Sequence, residues 1–203
     1  LGLNGAGKTT TLKLALGLLF PTRGEVRVCG FSADDPRALR RVGYLPELPY
    51  FYSHMTPREA LRFYGRLSGV PEGDLPHRID ATLARVGLAS KAGQKIAGFS
   101  KGMLQKVGLA QAILHEPDLL LLDEPVSGLD PLAVAEMRAL FSTLNREGRT
   151  LFLSSHSISE VEKLCHRVAI LVSGRLARVV TQQEWGAEAG TLEKIFVETV
   201  RQG

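Results

Sequence analysis

Long apolar runs are missing from this 203-residue sequence. The densest, Leu119 to Leu122, falls far short of the ~20 residues that cross a bilayer, so any work at a membrane is expected to go through a partner. Cysteine is scarce as well. Cys29 and Cys165 are the only two, too few for a disulfide framework and too far apart for a metal-ligand spacing. Free thiols in a reducing cytosol are the expectation. Neither sign of charge dominates: 25 Lys and Arg against 21 Asp and Glu leave a formal +4, too mild to argue for nucleic acid or anionic lipid. The sequence has no internal repeat, low-complexity tract or coiled-coil heptad. What remains, 44% hydrophobic and 23% charged residues, is the make-up of a soluble globular protein. The length suits one domain, or one domain carrying a subdomain.

The chain opens on Gly2-Leu3-Asn4-Gly5-Ala6-Gly7-Lys8-Thr9-Thr10, which fits the phosphate-loop pattern G-x-x-x-x-G-K-[ST]. Glycines let backbone N–H groups converge on phosphate oxygens, because no Cβ blocks the approach. A helix expected from Thr10 onward would point its positive end at the same anion. Lys8 would reach the β- and γ-phosphates, and the Thr9 hydroxyl would ligate Mg²⁺. Such a loop follows a β-strand, yet the sequence starts at Leu1. The missing strand is expected upstream, in a longer protein.

Strands alternate with helices along the rest. Glu25 to Gly30 alternates like a strand, Asp34-Asp35-Pro36 starts a short helix, and Arg41 to Pro46 reads as a strand entering a loop at Glu47. Thr56-Pro57-Arg58-Glu59 is a capping box opening a helix through Ser68. Helices follow over Pro76 to Val86 and Lys101 to His115. Leu119 to Leu122 is apolar on both faces, hence a central strand of a parallel sheet. Pro131 to Glu147 and Ile158 to Leu164 read as helices, Thr150 to Ser154, Arg167 to Val172 and Leu176 to Val180 as strands, and Leu192 to Val200 as a helix. The fold class is α/β: a phosphate-loop core with a mostly parallel sheet flanked by helices. A helical subdomain over residues 50–115 and a short tail over 181–203 complete the single domain.

The central strand ends in Asp123-Glu124, placing two carboxylates at the sheet edge where ligands of open α/β sheets sit. Asp123 would hold Mg²⁺, and Glu124 would orient or deprotonate an attacking water. Phe99-Ser100-Lys101-Gly102-Met103 opens the helix before that strand, Ser127-Gly128-Leu129-Asp130 follows Glu124, and His156 ends the next strand. Gly43-Tyr44-Leu45-Pro46-Glu47 lies between loop and signature. This ordered series resembles the ATP-binding cassette (ABC) family from Gly2 to Gly174. Ser-Lys-Gly-Met and Asp-Glu-Pro-x-Ser-Gly-Leu-Asp-Pro look like the type-2 exporters, whose ATPase and permease are separate chains. Two departures stand out. The usual Leu-Ser-Gly-Gly-Gln signature keeps only Ser100 and Gly102, and Glu47 replaces the Q-loop glutamine.

The resemblance implies an ATPase using ATP and Mg²⁺, with Gly2 to Thr10 binding phosphate in cis. Ser100, Lys101, Gly102 and Met103 would bind the nucleotide of a second ABC subunit in trans. Glu124 and His156 would be catalytic, and Ser127 to Asp130 would form the D-loop. The implied partners are that second subunit and an integral-membrane permease, without direct nucleic-acid contact. The location would be cytoplasmic, on the inner face of the cell membrane. A rival reading is a soluble ABC ATPase acting on ribosomes or nucleic acid.

Overall fold

The computed structural model describes residues 1–186 and 190–202; positions 187–189 and 203 of the expected tail lie outside them. In chain order the elements are α1 (Lys8–Ala15), β1 (Arg27–Val28), β2 (Phe31–Ser32), α2 (Pro36–Leu39), β3 (Val42–Leu45), α3 (Pro57–Leu67), α4 (Leu75–Arg85), α5 (Lys101–Ile113) and β4 (Leu119–Asp123). Then come α6 (Pro131–Arg146), β5 (Thr150–Ser154), α7 (Ile158–Leu164), β6 (Arg167–Val172), β7 (Arg175–Thr181), α8 (Gln182–Trp185) and α9 (Thr191–Gln202). They divide into two compact units, Pro21–Leu153 and Leu1–Phe20 with Ser154–Gly203.

In the larger unit the strand order is β3-β4-β5. β3 and β4 run parallel, from Val42 opposite Leu119 to Leu45 opposite Leu122. Leu120, Leu121 and Leu122 are buried, as a middle strand apolar on both faces requires. Helix α5 presses on β3 so closely that a Cβ on Gly43 would fall 2.1 Å from the Ala112 carbonyl oxygen. Only glycine permits that approach. Between β3 and β4 the described residues form α3, α4, α5 and two short 3₁₀ turns. Helix α3 starts where the sequence says. The Thr56 hydroxyl accepts from the Glu59 N–H, and the Glu59 carboxylate accepts from the Thr56 N–H at 2.8 Å. That second bond, to a backbone donor, holds the Glu59 carboxyl below its ordinary range.

The strand expected over Glu25 to Gly30 is shorter. Cys29 and Gly30 have φ of 51° and 86°, and two consecutive left-handed residues make a tight hairpin turn. β1 therefore folds back on β2, pairing Val28 with Phe31.

The smaller unit contains the antiparallel hairpin β6–β7, with Ile170 opposite Arg178. Its tip is Ser173-Gly174, both at positive φ. Leu1 and Gly2 lie beside β6: the Leu171 N–H donates to the Leu1 oxygen at 2.9 Å, and Gly2 bridges Leu171 in parallel. Leu12, Val161, Ile170, Val180, Trp185 and Leu192 are among its buried apolar side chains.

Candidate functional site

The loop from Gly2 to Thr10 lies in the smaller unit. Gly5 and Gly7 have φ of 80° and 100°, a conformation that favours glycine. The Ala6 N–H donates to the Leu3 oxygen at 3.1 Å, and the Gly174 N–H at the hairpin tip donates to the Ala6 oxygen at 3.2 Å. The loop is thus held from below. A Cβ on Gly5 would meet nothing within 4 Å, so that side is open. The Lys8 ammonium folds back over the loop, donating to the Gly2 and Leu3 oxygens at 2.8 and 3.3 Å.

Left-handed Gly7 turns the chain straight into α1, which starts at Lys8, two residues before the expected Thr10. The N-cap of α1, Gly7, has no side chain to cap the helix, and no acidic residue stands in its first turn. Its own side chains therefore leave the positive helix end uncompensated. Exposed His156 belongs to the same unit. Beside it Ser155 is buried and accepts from the Ser157 N–H at 3.0 Å, which fixes the turn that presents the histidine.

Asp123 and Glu124 lie in the larger unit. Asp123 ends β4 and is 4% exposed. Burial, and then the nearby Asp123 charge, raises the Tyr44 phenol above its ordinary value. Glu124 departs from the strand with φ 45°, a strained conformation for a side-chain-bearing residue. The Ser127 N–H closes the turn on the Glu124 oxygen at 3.1 Å. This break leaves Glu124 half-buried where Asp123 is enclosed. Asp130 then caps α6, its carboxylate accepting from the Ala133 N–H at 3.0 Å.

Ser100 caps α5 by accepting from the Met103 N–H at 3.3 Å. Signature and D-loop stretch are neighbours, a relation the sequence did not reveal. A Cβ on Gly102 would sit 3.2 Å from the Ala133 Cβ, and one on Gly128 only 2.7 Å from the Lys101 ammonium nitrogen. Small residues bring the starts of α5 and α6 together.

Glu47 is exposed, and its backbone is held from the helix beneath. The Gln105 amide nitrogen donates to the Glu47 carbonyl oxygen at 2.7 Å, and Gln105 is fully buried. Sequence reading missed this residue. Its signal is a polar side chain in phase with buried Gly108, Leu109 and Ala112 on α5. Nearby, Tyr44, Pro46, Tyr50, Tyr64 and His115 line a cleft of about 310 Å³.

The model of the ABC transporter family matches residues 1–127, more than half of the chain. The chain belongs to the ABC transporter family. It is 47% identical over 178 residues to an ABC transporter ATP-binding protein of Nostoc, covering 87% of this chain and 53% of that one. It is 43% identical over 179 residues to the bacitracin transport ATP-binding protein BcrA of Bacillus licheniformis, covering 87% and 58%. The chain thus spans about half the length of these ABC relatives. A solved ATP-binding subunit of an ABC transporter matches with a TM-score of 0.85 at 34% identity, over 98% of this chain and 85% of its own. The expected fold class, a phosphate-loop α/β core with helices flanking a parallel sheet, is that of this ABC subunit. Among the described residues, no helix is long and apolar enough to cross a membrane.

Proposed function

We propose that the protein is the ATP-hydrolysing subunit of an ABC transporter, pairing head to tail with a second such subunit around ATP to drive a separate permease. The observation that carries this is the loop itself: left-handed Gly5 and Gly7, Lys8 turned back onto the Gly2 and Leu3 oxygens, and a helix that starts directly from Gly7. This geometry suits a triphosphate, because the side of Gly5 is open to a ligand while Lys8 and the start of α1 bring positive charge to the same loop. Gly5, Gly7 and Lys8 would bind the phosphates.

The Thr9 hydroxyl and the Asp123 carboxylate are hard oxygen donors suited to Mg²⁺. That ion would supply charge neutralisation on the phosphates. Glu124 would take the proton of the attacking water, and His156 would hydrogen-bond the γ-phosphate. Ser100, Lys101, Gly102 and Met103 would meet the second subunit's nucleotide, with Ser127 to Asp130 beside them.

The helices within residues 50–115 act as the subdomain that meets the permease. Leu48 and Tyr50 are 70% and 84% exposed, and Tyr50 borders the 310 Å³ cleft, so apolar surface lies next to Glu47 for a membrane partner to cover. The protein would then sit on the inner face of the cell membrane. Likeness to a protein named for bacitracin transport, with the Ser-Lys-Gly-Met signature, favours an exporter. Action on ribosomes or nucleic acid is not favoured by relatives named for transport.

The test is Glu124→Gln in the full-length protein. Turnover should fall by about 10²- to 10⁴-fold, while light scattering should find a dimer with ATP but not with ADP. Normal hydrolysis in the variant would remove Glu124 from the chemistry. Inactivity without an ATP-dependent dimer would remove the head-to-tail pairing.

A further inference from the structure

Gln105 is 0% exposed, yet only half of its amide is satisfied. Its nitrogen donates to the Glu47 carbonyl oxygen at 2.7 Å across 58 positions of sequence. Its oxygen is buried and has no hydrogen-bond partner among the described residues. The assignment is forced, since a carbonyl oxygen only accepts and so requires the amide nitrogen. A hydrocarbon side chain would fill this place without burying an unpaired oxygen. What the glutamine adds is one bond, from the signature helix to the loop that carries Glu47.

The same face of α5 carries a second restraint on that loop. One turn on, a Cβ at Gly108 would lie 2.6 Å from Leu45 Cδ1 and 3.0 Å from Pro49 Cβ and Cγ. The residues on either side of Glu47 therefore rest on bare helix backbone. Ser100 and Gly102 belong to the first turns of this helix, and all these residues lie in one compact unit.

We propose that Gln105 is a positioning residue that joins the Glu47 loop to the signature helix, so that nucleotide engaged at Ser100 and Gly102 is felt at Glu47. The coupling rests on the function proposed above; the link itself does not. A helix transmits displacement along its axis with little loss because its backbone bonds are internal. Gln105 stands little more than one turn from Ser100 and ties the loop backbone, rather than a flexible side chain, to that helix. The identity of residue 47 is then secondary to where its carbonyl is held.

The experiment is hydrogen–deuterium exchange on the full-length protein carrying Glu124→Gln, with and without ATP, alone and with Gln105→Met. Methionine keeps the volume and removes the donor. Without nucleotide, Gln105→Met should speed exchange at Glu47, Leu48 and Tyr50, the residues of 46–50 that carry an amide N–H, by about tenfold, the scale of one lost hydrogen bond, and leave α6 unchanged. With ATP, residues 100–104 should still slow, while the response of 46–50 shrinks by more than half. Gly108→Ala, which favours the helix but lifts the loop, should separate the two responses in the same way and serves if Gln105→Met does not fold.

Unchanged exchange at 46–50 without nucleotide overturns the link. A loop that still responds fully to ATP in the variant overturns the coupling. So does loss of every response together with a lower melting temperature, which marks a purely structural residue. If residues 100–104 do not respond to ATP before Gln105 is changed, the proposed function fails first and the coupling falls with it.

Discussion

The ammonium nitrogen of Lys8 lies 2.8 Å from the backbone oxygen of Gly2, six positions back along the same loop. The cation is held over the loop by main-chain oxygens, where it can meet an anion without large rearrangement. Lys8→Ala should weaken ATP binding by roughly 10- to 100-fold, the scale of a charge-assisted bond. The melting temperature should stay within about 2 °C, because the surrounding apolar residues are untouched. Equilibrium titration with ATP and a thermal scan check both.

Glu47 presents a different balance, with its side chain exposed and its carbonyl engaged. Glu47→Gln leaves that carbonyl in place and should keep basal ATPase within a few-fold. Activity stimulated by the permease should change. A large shift in basal kcat with unaltered stimulation would place the Glu47 carboxylate in the hydrolytic step instead.

Gly43→Ala should act on the fold rather than the chemistry. The new methyl would press on the Ala112 oxygen and on Leu120 Cδ2, 2.7 Å away. Overpacking of this kind costs about 1–3 kcal/mol, and each kcal/mol lowers the midpoint by roughly 2–4 °C at this size. Denaturant unfolding of the full-length variant measures the loss, and ATP affinity should be retained.

His115 adds a pH dependence. Its Nε2–H donates to the Val42 oxygen at 3.1 Å, and burial, only partly offset by that bond, lowers its pKa below the ordinary 6.5. In acid the unfolded chain therefore binds more protons than the folded one. The stabilisation by neutral His115 is complete above about pH 6.5 and is lost as pH falls through the lower folded value. Unfolding curves from pH 7.5 to 5 should show this slope in the parent. His115→Gln, which keeps a donor for Val42, should flatten it. Parallel curves would mean that His115 protonates equally in both states.

What could be read from the sequence is mostly chemistry between near neighbours. Thr56 with Glu59, and Ser100 at the head of its helix, announce helix starts because a cap needs only the next three residues. The phosphate loop is legible for the same reason. The Cys29-Gly30 turn was hidden, since only its second residue advertises a left-handed conformation. The contact of Lys101 with Gly128 depends on how α5 packs against α6, and no local pattern encodes that. Gln105 was obscured because α5 is buried on most of its sides, which blurs the helical phase that would mark an inward-facing amide.

The pairing of β3 with β4 has a consequence for synthesis. The flanking ion pair, Arg41 with Asp118 at 2.5 Å, joins residues 77 positions apart. At about 5–20 residues per second on the ribosome, β3 emerges roughly 4–15 s before its partner strand. During that interval its backbone edge is open to wrong pairing. Helix α5 arrives first, and Gly43 lets it lie flush on the waiting strand, so the nascent chain covers one face of β3 before the sheet exists. Slowed translation anywhere between codons 46 and 118 would lengthen the period in which that edge is open.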